Sequence, residues 1–378
     1  MPDRSPRVGS VLIASDKFKG SLTSSGVGAA VRRGLLTADG ELDVRVVPVA
    51  DGGDGTLAAA EAAGFERVPL SATGPTGEPV HTAYARKADQ AVIELAHVSG
   101  LALLPGRELA PWRATTRGTG EVIAAALDAG CRRIVLGIGG SASTDGGAGL
   151  LVGLGARLLD RVGDEISDPG AHLDQIADID LTTMHPALGE AELLLACDVD
   201  NPLLGPRGAS AVYGPQKGLA PDELPVVEAN LHCWADRLDS ATGTDVRLAP
   251  GAGAAGGVGY ALMALGARLR PGIDLVLELV GFADQLRTAR LVITGEGSLD
   301  EQTMSGKAPA GIAAASSSAG CEVVAVCGRR ELDDAQLTAM GIAASYALLD
   351  VESDVQRCMT DADALLEGLG RVIAMNHL

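Results

Sequence analysis

The sequence predicts an α/β fold: a doubly wound parallel sheet formed by both chain ends, with a second α/β domain inserted between them. An apolar strand-like run, a polar Gly-rich loop and a helix-like stretch follow one another twice within the first 65 residues, as βαβ units require. The same order returns near the C-terminus. We therefore assign 1–70 and 287–378 to the first domain and 71–286 to the inserted domain.

The N-terminal elements of the first domain are read from β-branched runs and Ala-rich stretches. The first strand ends at Ser15-Asp16, and the second ends at the motif Asp51-Gly-Gly-Asp-Gly-Thr56. The expected elements are a strand at 8–14, a helix at 21–36, a strand at 43–49 and a helix at 57–63.

The C-terminal elements complete the same sheet, because they supply three further strands. The first of these strands is expected to end at Thr294-Gly-Glu-Gly297, which has the composition of a loop. The expected elements are a strand at 290–293, a helix at 307–319, a strand at 322–326, a helix near 334–340, a strand at 342–348 and a helix at 360–373.

The inserted domain has alternating strands over 65–96, with turns at 74–77 and 88–89, and two later strands at 133–138 and 192–197. The Gly-rich run 139–149 is expected to open a helix that continues to Leu159. A loop rich in Pro and Gly occupies 200–221. For the Gly-rich run 251–259, tight helix–loop packing and ligand contact are equally open.

The formal net charge is −19, with a pI near 4.7. This argues against nonspecific binding to nucleic acid or to an anionic membrane, since both need a broad basic surface. The six cysteines are scattered without zinc spacing, and the six histidines show no metal-ligand pair at helical spacing. With no apolar signal region and no membrane span, we expect a cytoplasmic protein.

Only five lysines occur beside twenty-five arginines, and four of the five lie in Gly- and Asp-rich segments. These are Lys17, Lys19, Lys217 and Lys307; Lys87 alone lies in an ordinary charged stretch. A lysine offers a compact point charge, which suits a transferring phosphoryl group. We therefore expect these four lysines to have a role in the chemistry of the site rather than to supply surface charge.

Polar clusters follow the predicted strands repeatedly, where open α/β sheets bind ligands. Each cluster alone is more often a turn or helix cap, but five of them make a purely structural role improbable. The run Gly139–Gly149 is the best candidate for a nucleotide phosphate, because glycines expose backbone N–H groups. It is neither a Walker A loop nor a dinucleotide fingerprint.

Carboxylates without basic partners usually bind a metal or accept a proton. Asp51 and Asp54 bracket two glycines and could share one Mg²⁺, and Asp198 and Asp200 alternate after a strand. Together with the lysines they indicate phosphoryl transfer, which uses cations, Mg²⁺ and a carboxylate base. A phosphatase would be expected to show a nucleophile or a two-metal His/Asp set, and the sequence has neither.

The ordered motifs resemble those of the bacterial type I glycerate kinases, and the resemblance runs from about residue 10 to the end. They are Asp16-Lys-Phe-Lys-Gly-Ser21, Val49-Ala-Asp-Gly-Gly-Asp-Gly-Thr56, Gly137-Ile-Gly-Gly-Ser-Ala-Ser-Thr-Asp-Gly-Gly147, Ala196-Cys-Asp-Val-Asp-Asn-Pro202, Tyr213-Gly-Pro-Gln-Lys-Gly218 and Thr294-Gly-Glu-Gly-Ser-Leu-Asp-Glu-Gln-Thr303. The connecting pieces 73–79 and 91–96 also look alike. Arg117 departs from the family, which more often has an aromatic residue there.

The resemblance implies ATP-dependent phosphorylation of D-glycerate with Mg²⁺, favouring 2-phosphoglycerate as product while 3-phosphoglycerate stays open. We expect a monomer or a homodimer. The resemblance also implies that the first domain is flavodoxin-like and that the active site lies in the interdomain cleft. The residues assigned to catalysis are Asp198 as base with Lys17, Lys19 and Lys307; those assigned to substrate are Ser21, Asn201, Arg207, Gln216 and Lys217. Those assigned to ATP phosphates are Gly139, Gly140, Ser141, Ser143, Thr144, Gly146, Gly147, Gly295 and Gly297, and those assigned to the metal are Asp51, Asp54, Glu296 and Asp300.

Two alternatives remain open from the sequence. A kinase for a related small hydroxy acid, such as tartronate or a sugar acid, would use the same phosphate machinery with another pocket. A nucleotide- or metabolite-sensing regulator could share the fold, although a pure sensor does not need a base and phosphate-binding lysines together.

Overall fold

The computed structural model of the chain describes residues 9–304 and 306–378. Val8, at the start of the first predicted strand, and Ser305, within the segment that contains Lys307, lie outside the described residues. The described part divides into two compact units. The first comprises the described residues up to Asp51 together with Ala58–Ala63 and Ile273–Leu378, and the second comprises Gly52–Leu57 and Gly64–Gly272.

The strands in chain order are β1 Ser10–Ser15, β2 Val44–Val46, β3 Glu66–Thr73, β4 Pro79–Lys87, β5 Gln90–Glu94, β6 Arg133–Gly137, β7 Arg157–Leu159, β8 Asp178–Asp180, β9 Glu192–Ala196, β10 Arg268–Arg270, β11 Ala289–Leu299, β12 Glu322–Arg330 and β13 Ala344–Ala347.

The α-helices are α1 Ser24–Ala38, α2 Thr56–Ala62, α3 Ala96–Ser99, α4 Arg117–Asp128, α5 Ala148–Gly153, α6 Ala209–Tyr213, α7 Leu224–Thr242, α8 Val258–Ala264, α9 Gly272–Leu279, α10 Phe282–Leu286, α11 Glu301–Met304, α12 Ala308–Ser318, α13 Asp334–Ala339, α14 Val355–Thr360 and α15 Ala362–His377. Short 3₁₀ helices are Leu101–Leu103, Pro105–Arg107, Leu173–Gln175, Pro186–Glu190, Pro215–Lys217, Ala254–Gly256 and Leu348–Asp350.

The first unit is built on a five-stranded sheet in the order β13-β12-β11-β1-β2. Every pair in it is parallel. Numbered along the chain within the unit, the order is 2-1-3-4-5, which is the flavodoxin-like order. The prediction of a flavodoxin-like sheet made from both chain ends is therefore confirmed.

Alternate residues of the central strands enter two separate apolar layers. Leu12 of β1 and Val292 of β11 pack in one layer with α9 and α12, whereas Val11 and Ile293 pack in the other with α1 and α15. A parallel sheet covered by helices on both faces must be apolar on both faces. This explains why the strands read as continuous apolar runs rather than as alternating ones.

The second unit contains a six-stranded mixed sheet in the order β10-β9-β6-β5-β4-β3. Strands β5, β6, β9 and β10 are parallel, and β3 and β4 extend the sheet as antiparallel neighbours. Strands β7 and β8 form a separate antiparallel pair. The predicted α/β class of the insert is confirmed; the predicted domain boundaries and the placement of the active site stay predictions.

Several predicted elements were wrong in extent, among them the strand expected at 322–326, which continues to Arg330, and the strand expected at 43–49, which covers only Val44–Val46. Two further differences follow from the positions of glycines. The helix expected to continue to Leu159 ends at Gly153, because Gly155 takes a left-handed conformation (φ +98°) and the chain then enters β7. The strand expected to end at Ile293 continues to Leu299. It does so because Gly295 lets β11 lie so close to β12 that a Cβ there would stand 2.2 Å from the Val326 carbonyl oxygen.

Candidate active site

In the first unit, the end of β1 lies beside the segment 295–297 of β11 and brings the first lysine motif near Glu296. Ser15 is paired with Gly295 in the sheet, and the Asp16 amide donates to the Gly295 carbonyl at 2.9 Å. A Cβ on Gly297 would lie 3.6 Å from the backbone nitrogen of Lys19. The loop that carries Lys17 and Lys19 therefore lies against the segment 295–297.

Glu296 is buried within β11, one residue beyond the position that pairs with the end of β1. Its Oε1 accepts a hydrogen bond from the Thr303 hydroxyl at 2.5 Å, and its Oε2 lies 3.8 Å from Lys307 Nζ. Burial raises the pKa of Glu296 to about 7, with Asp300 and Asp16 adding to the rise and Thr303 and Lys307 opposing it. This carboxyl group can therefore gain or lose a proton near neutral pH, as a group in a catalytic site often does.

The other predicted residues of the first unit have definite local roles. Asp300 Oδ1 accepts from the amides of Gln302 at 2.9 Å and Thr303 at 3.3 Å, so it caps α11. Lys307 is the N-cap residue of α12. The Ser21 hydroxyl donates to the Met359 carbonyl at 2.6 Å. The Ser21 hydroxyl thus links its loop to the backbone at the end of α14.

The remaining predicted residues of this unit differ in exposure. Lys19 is exposed, Lys17 and Asp51 are half-buried, Gly297 is half-buried and Gly295 is buried within the sheet. Gly295 serves close strand packing, as described above, and the role of both glycines toward phosphate stays a prediction.

In the second unit, the loop Gly52–Leu57 is held by Glu94 at the end of β5. Glu94 Oε1 accepts from the amides of Gly55 at 3.1 Å and Leu57 at 2.5 Å. These amides belong to the start of α2, so the buried carboxylate caps that helix. A Cβ on Gly52 would lie 2.5 Å from Gly272 Cα, which explains why the motif needs glycine there.

This loop brings Asp54 together with Glu94 and His97, whose ligand atoms all lie within 4.8 Å of one another. Neither Glu94 nor His97 was predicted as a site residue. A signal was present, because Glu94 is a charged residue at the end of the apolar run of β5 and stands three positions before His97. Burial raises the pKa of Glu94, and the neighbouring Asp54 carboxylate acts in the same direction.

The Gly-rich loop after β6 is only partly exposed. Gly139 and Gly140 are exposed, whereas the chain from Ser141 through Gly147 is buried. Of the residues in this loop that were predicted to contact phosphate, Gly139 and Gly140 are the exposed ones. Ser143 and Thr144 have buried hydroxyl oxygens that lack a hydrogen-bond partner among the described residues.

Lys217 contacts this loop and is itself buried. Its Nζ donates to the Ser141 hydroxyl at 2.8 Å and to the Ser143 carbonyl at 2.5 Å. Burial lowers the pKa of Lys217 to about 7, and the Asp145 carboxylate partly counters this. Lys217 thus positions the loop. These two hydrogen bonds account for a lysine at this buried position without a contact between its ammonium group and substrate.

Asp145 is a third residue that the predictions missed. It is fully buried and accepts from the Thr116 amide at 2.8 Å, the Thr116 hydroxyl at 2.7 Å and the Gly147 amide at 3.2 Å. Burial raises its pKa, and these hydrogen bonds oppose the rise. The sequence signal was weak, because an Asp among glycines also suits an ordinary turn.

The loop after β9 carries Asp198, Asp200 and Asn201. Asp198 Oδ1 accepts from the Gly272 amide at 2.8 Å, which orients an otherwise exposed carboxylate. Asp200 pairs with Arg207 at 2.6 Å. The expectation that Asp200 lacks a basic partner was therefore wrong.

Asn201 holds this loop together from within. Its amide nitrogen donates to the Arg207 carbonyl at 2.8 Å, and its amide oxygen accepts from the Tyr213 hydroxyl at 2.6 Å. Gln216, farther along, is exposed. Arg207 and Gln216 are thus at the surface of the loop, whereas Asn201 is part of its scaffold.

Comparison with known proteins gives one consistent result. A model of the Glycerate kinase family matches residues 11–377. A glycerate kinase of Bacillus subtilis (strain 168) is 44% identical over 368 residues, which cover 96% of each chain. A glycerate 2-kinase of Escherichia coli (strain K12) is 41% identical over 344 residues, which cover 90% of each chain.

This chain belongs to the glycerate kinase family. A solved structure from Salmonella typhimurium LT2, provisionally assigned as glycerate kinase 2, agrees in fold with a TM-score of 0.85 and 38% identity, covering 97% of this chain and 98% of that one. The resemblance stated from the motifs is confirmed at the level of the family. Among the described residues, no helix combines the length and apolar character that crossing a bilayer requires.

Arg117, which was predicted to depart from the family pattern, begins α4. Its Nε lies 3.1 Å from Glu121 Oε1, and Glu121 also accepts from the Thr73 amide and hydroxyl at 2.8 and 2.9 Å. The arginine is therefore accommodated by a local ion pair on its own helix in this family member.

Proposed function

We propose that this protein transfers the terminal phosphoryl group of ATP to D-glycerate and forms 2-phosphoglycerate. The observation that carries the proposal is that the family model matches residues 11–377, so that every motif described above falls within the match. The glycerate kinase of Bacillus subtilis also matches over 96% of both chains. The position of the product phosphate follows the relative of Escherichia coli, which is named glycerate 2-kinase.

The residues of the first unit support phosphate binding. Phosphate oxygens and the glycerate carboxylate need cations, and Lys17, Lys19 and Lys307 stand around the ends of β1 and β11, where an open α/β sheet binds ligands. Compact ammonium groups on flexible stems suit a phosphoryl group that moves during transfer.

The donor atoms of the first unit fit Mg²⁺. Glu296 Oε2 is not taken up by Thr303, and Asp16 and Asp300 are near enough to Glu296 to raise its pKa. Hard oxygen donors of this kind suit Mg²⁺. We propose that Glu296, Asp300 and Asp51 hold it, and that the ion would neutralise charge on the transferring phosphoryl group.

Asp198 is proposed as the base that accepts the proton of the attacking hydroxyl group. Its Oδ1 is oriented by the Gly272 amide, and a carboxylate within hydrogen-bond reach of the hydroxyl is what the reaction needs. The exposed amides of Gly139 and Gly140 are proposed to contact nucleotide phosphates.

The activity is tested by coupled ADP release with ATP, Mg²⁺ and D-glycerate, beside L-glycerate and a reaction without acceptor, with the product identified by NMR. The proposal expects turnover with D-glycerate alone. ADP release without an acceptor would show ATP hydrolysis instead. If folded protein that binds ATP releases no ADP under any of these conditions, another acceptor or a sensor function would be favoured.

The assignment of Lys17 is tested by Lys17→Ala with Lys87→Ala as the matched control. Lys87 lies outside the motifs, with its ammonium group 5.5 Å from the centre of the Phe65 ring. The proposal expects a loss of kcat/KM of about 100-fold or more for Lys17→Ala, with near-normal activity for Lys87→Ala. Equal activity of both variants would remove Lys17 from the site.

A further inference from the structure

Asp54, Glu94 and His97 form a group of two carboxylates and one imidazole in the second unit. Their ligand atoms lie within 4.8 Å of one another. Glu94 is buried, His97 half-buried and Asp54 exposed, so the group runs from the interior to the surface. An ion could therefore enter from solvent and meet the buried carboxylate last.

The two carboxylate oxygens of Glu94 differ in their hydrogen bonding. Oε1 of Glu94 is occupied by the amides of Gly55 and Leu57, as described above. Oε2 has no hydrogen-bond partner among the described residues, although the Glu94 side chain is only 1% exposed. Such an oxygen is costly to bury unless something positive meets it.

That oxygen points at His97, whose Nε2 lies 3.3 Å away. A neutral imidazole with a lone pair on Nε2 and a carboxylate oxygen would repel each other at this distance, whereas a cation between or beside them would satisfy both. The alternative is a hydrogen on Nε2, in either the neutral tautomer or the imidazolium, which would donate to Oε2 without a metal. The two readings differ in whether a metal binds.

We propose that Asp54, Glu94 and His97 bind a divalent metal ion such as Zn²⁺ or Co²⁺, and that Zn²⁺ fits these ligands best. An imidazole nitrogen with carboxylate oxygens suits Zn²⁺ or Co²⁺, whereas Mg²⁺ prefers an all-oxygen shell with several waters. Binding at about 2.1 Å from each ligand atom would bring the three atoms to within about 3.5 Å of one another. Small rotations of the side chains are sufficient for this.

The site departs from the magnesium role predicted for Asp54, since the structure gives that residue an imidazole neighbour. The contacts of Glu94 Oε1 would orient Oε2 toward the ion, as hydrogen bonds behind a ligand commonly do. Because the same contacts cap α2, the ion would also stabilise the loop Gly52–Leu57. The inference does not rest on the proposed activity, because its test uses neither ATP nor glycerate.

The test measures Zn²⁺ affinity of the full chain by competition with a chromophoric chelator, and Co²⁺ ligation by visible absorption. We expect one Zn²⁺ per chain, at least 10-fold weaker binding in His97→Ala, and a Co²⁺ spectrum without thiolate character. A 1,000-fold excess of Mg²⁺ is expected to displace little Zn²⁺. His97→Ala is the main variant because its half-buried side chain can be removed without uncapping α2, which Glu94→Gln could weaken.

The matched control is His232→Ala. His232 also has a carboxylate neighbour, with Nδ1 at 3.3 Å from Asp236, and it adjoins the exposed Cys233, but it lacks a buried carboxylate. Undiminished Zn²⁺ binding is expected in this variant. The proposal is overturned if the parent protein binds no Zn²⁺, if His97→Ala binds as tightly as the parent, or if the metal is lost in His232→Ala.

Discussion

Glu296 illustrates how one buried carboxylate links protonation to stability. Its pKa of about 7 lies above the ordinary value of 4.5, so between these pH values the folded protein holds a proton that the unfolded chain has released. The stability from this group is fully present below pH 4.5 and is lost as the pH rises through 7. Above pH 7 the buried carboxyl group is charged, and the cost of burying that charge lowers the stability of the folded protein.

The substitution Glu296→Gln removes this titration while keeping an oxygen that can accept from Thr303. We expect the free energy of unfolding of the parent, relative to the variant, to fall by on the order of 3 kcal/mol between pH 4.5 and 8. Urea unfolding at a series of pH values measures it. Glu331→Gln, at an exposed carboxylate, controls for loss of one charge, and a pH-independent difference for Glu296→Gln would contradict the raised pKa.

Lys217 shows the opposite linkage, because burial lowers its pKa from 10.5 to about 7. Between these pH values the unfolded chain binds the extra proton, so stability rises with pH across this window. We expect the parent to gain stability relative to Lys217→Met as the pH increases from 7 to 10. Denaturant unfolding at both pH values checks this, and a constant difference would show that the lysine titrates normally.

At the residue scale, the sequence indicated the lysines and the acidic motifs but could not show how they are used. Lys217 was assigned to substrate because of its motif, and only packing reveals that its ammonium group is directed at Ser141 and Ser143. Glu94 and Asp145 were missed for a related reason. A carboxylate becomes unusual through burial and hydrogen bonding, and neither property can be read from its neighbours in the chain.

The Gly-rich segment 251–259 is an element whose glycines serve close packing. A Cβ on Gly253 would stand 2.3 Å from the Pro202 carbonyl oxygen, and one on Gly259 would stand 2.1 Å from that of Gly251. The sequence left packing and ligand contact equally open here, and the structure shows tight packing. Glycine spacing alone cannot distinguish a neighbouring backbone from a bound ligand, because both demand the same absence of Cβ.

Gly256→Ala tests this element directly. Gly256 has φ +69°, and a Cβ would lie 2.2 Å from the Ser143 carbonyl oxygen, so both backbone strain and a steric clash oppose the change. We expect a loss of more than about 2 kcal/mol in the free energy of unfolding. The matched control is Gly266→Ala, where φ is +91° but nothing lies within 4 Å; we expect about 1 kcal/mol. Equal losses would show that strain alone matters.

The strands were predicted well and the ends of elements less well. Short apolar runs that end at polar loops, such as Val11 to Ala14, suit a sheet covered on both faces, so their length and their flanking residues identify them as strands. The end of β11 was mistaken because Gly and Glu usually mark loops. In this sheet the glycine instead allows close strand contact, which depends on residues more than thirty positions away.

At the scale of the whole molecule, repulsion among the charges that give the net charge of −19 destabilises the folded state. Salt shortens the screening length from about 30 Å at 0.01 M to about 8 Å at 0.15 M. We therefore expect the thermal unfolding midpoint to rise with KCl over this range. Choline chloride should act alike, which separates screening from specific K⁺ binding, and a falling midpoint would show that attractive ion pairs dominate.

The sheet of the first unit joins strands from opposite ends of the chain, and this has a consequence for synthesis on the ribosome. β1 and β2 are complete once Val46 is made, but their partner β11 begins only at Ala289, about 240 residues later. At 5–20 residues per second the interval is roughly 10 to 50 s. Throughout that time the apolar strand β1 has one edge without its native neighbour, so the nascent chain offers chaperones a long-lived binding segment near its start.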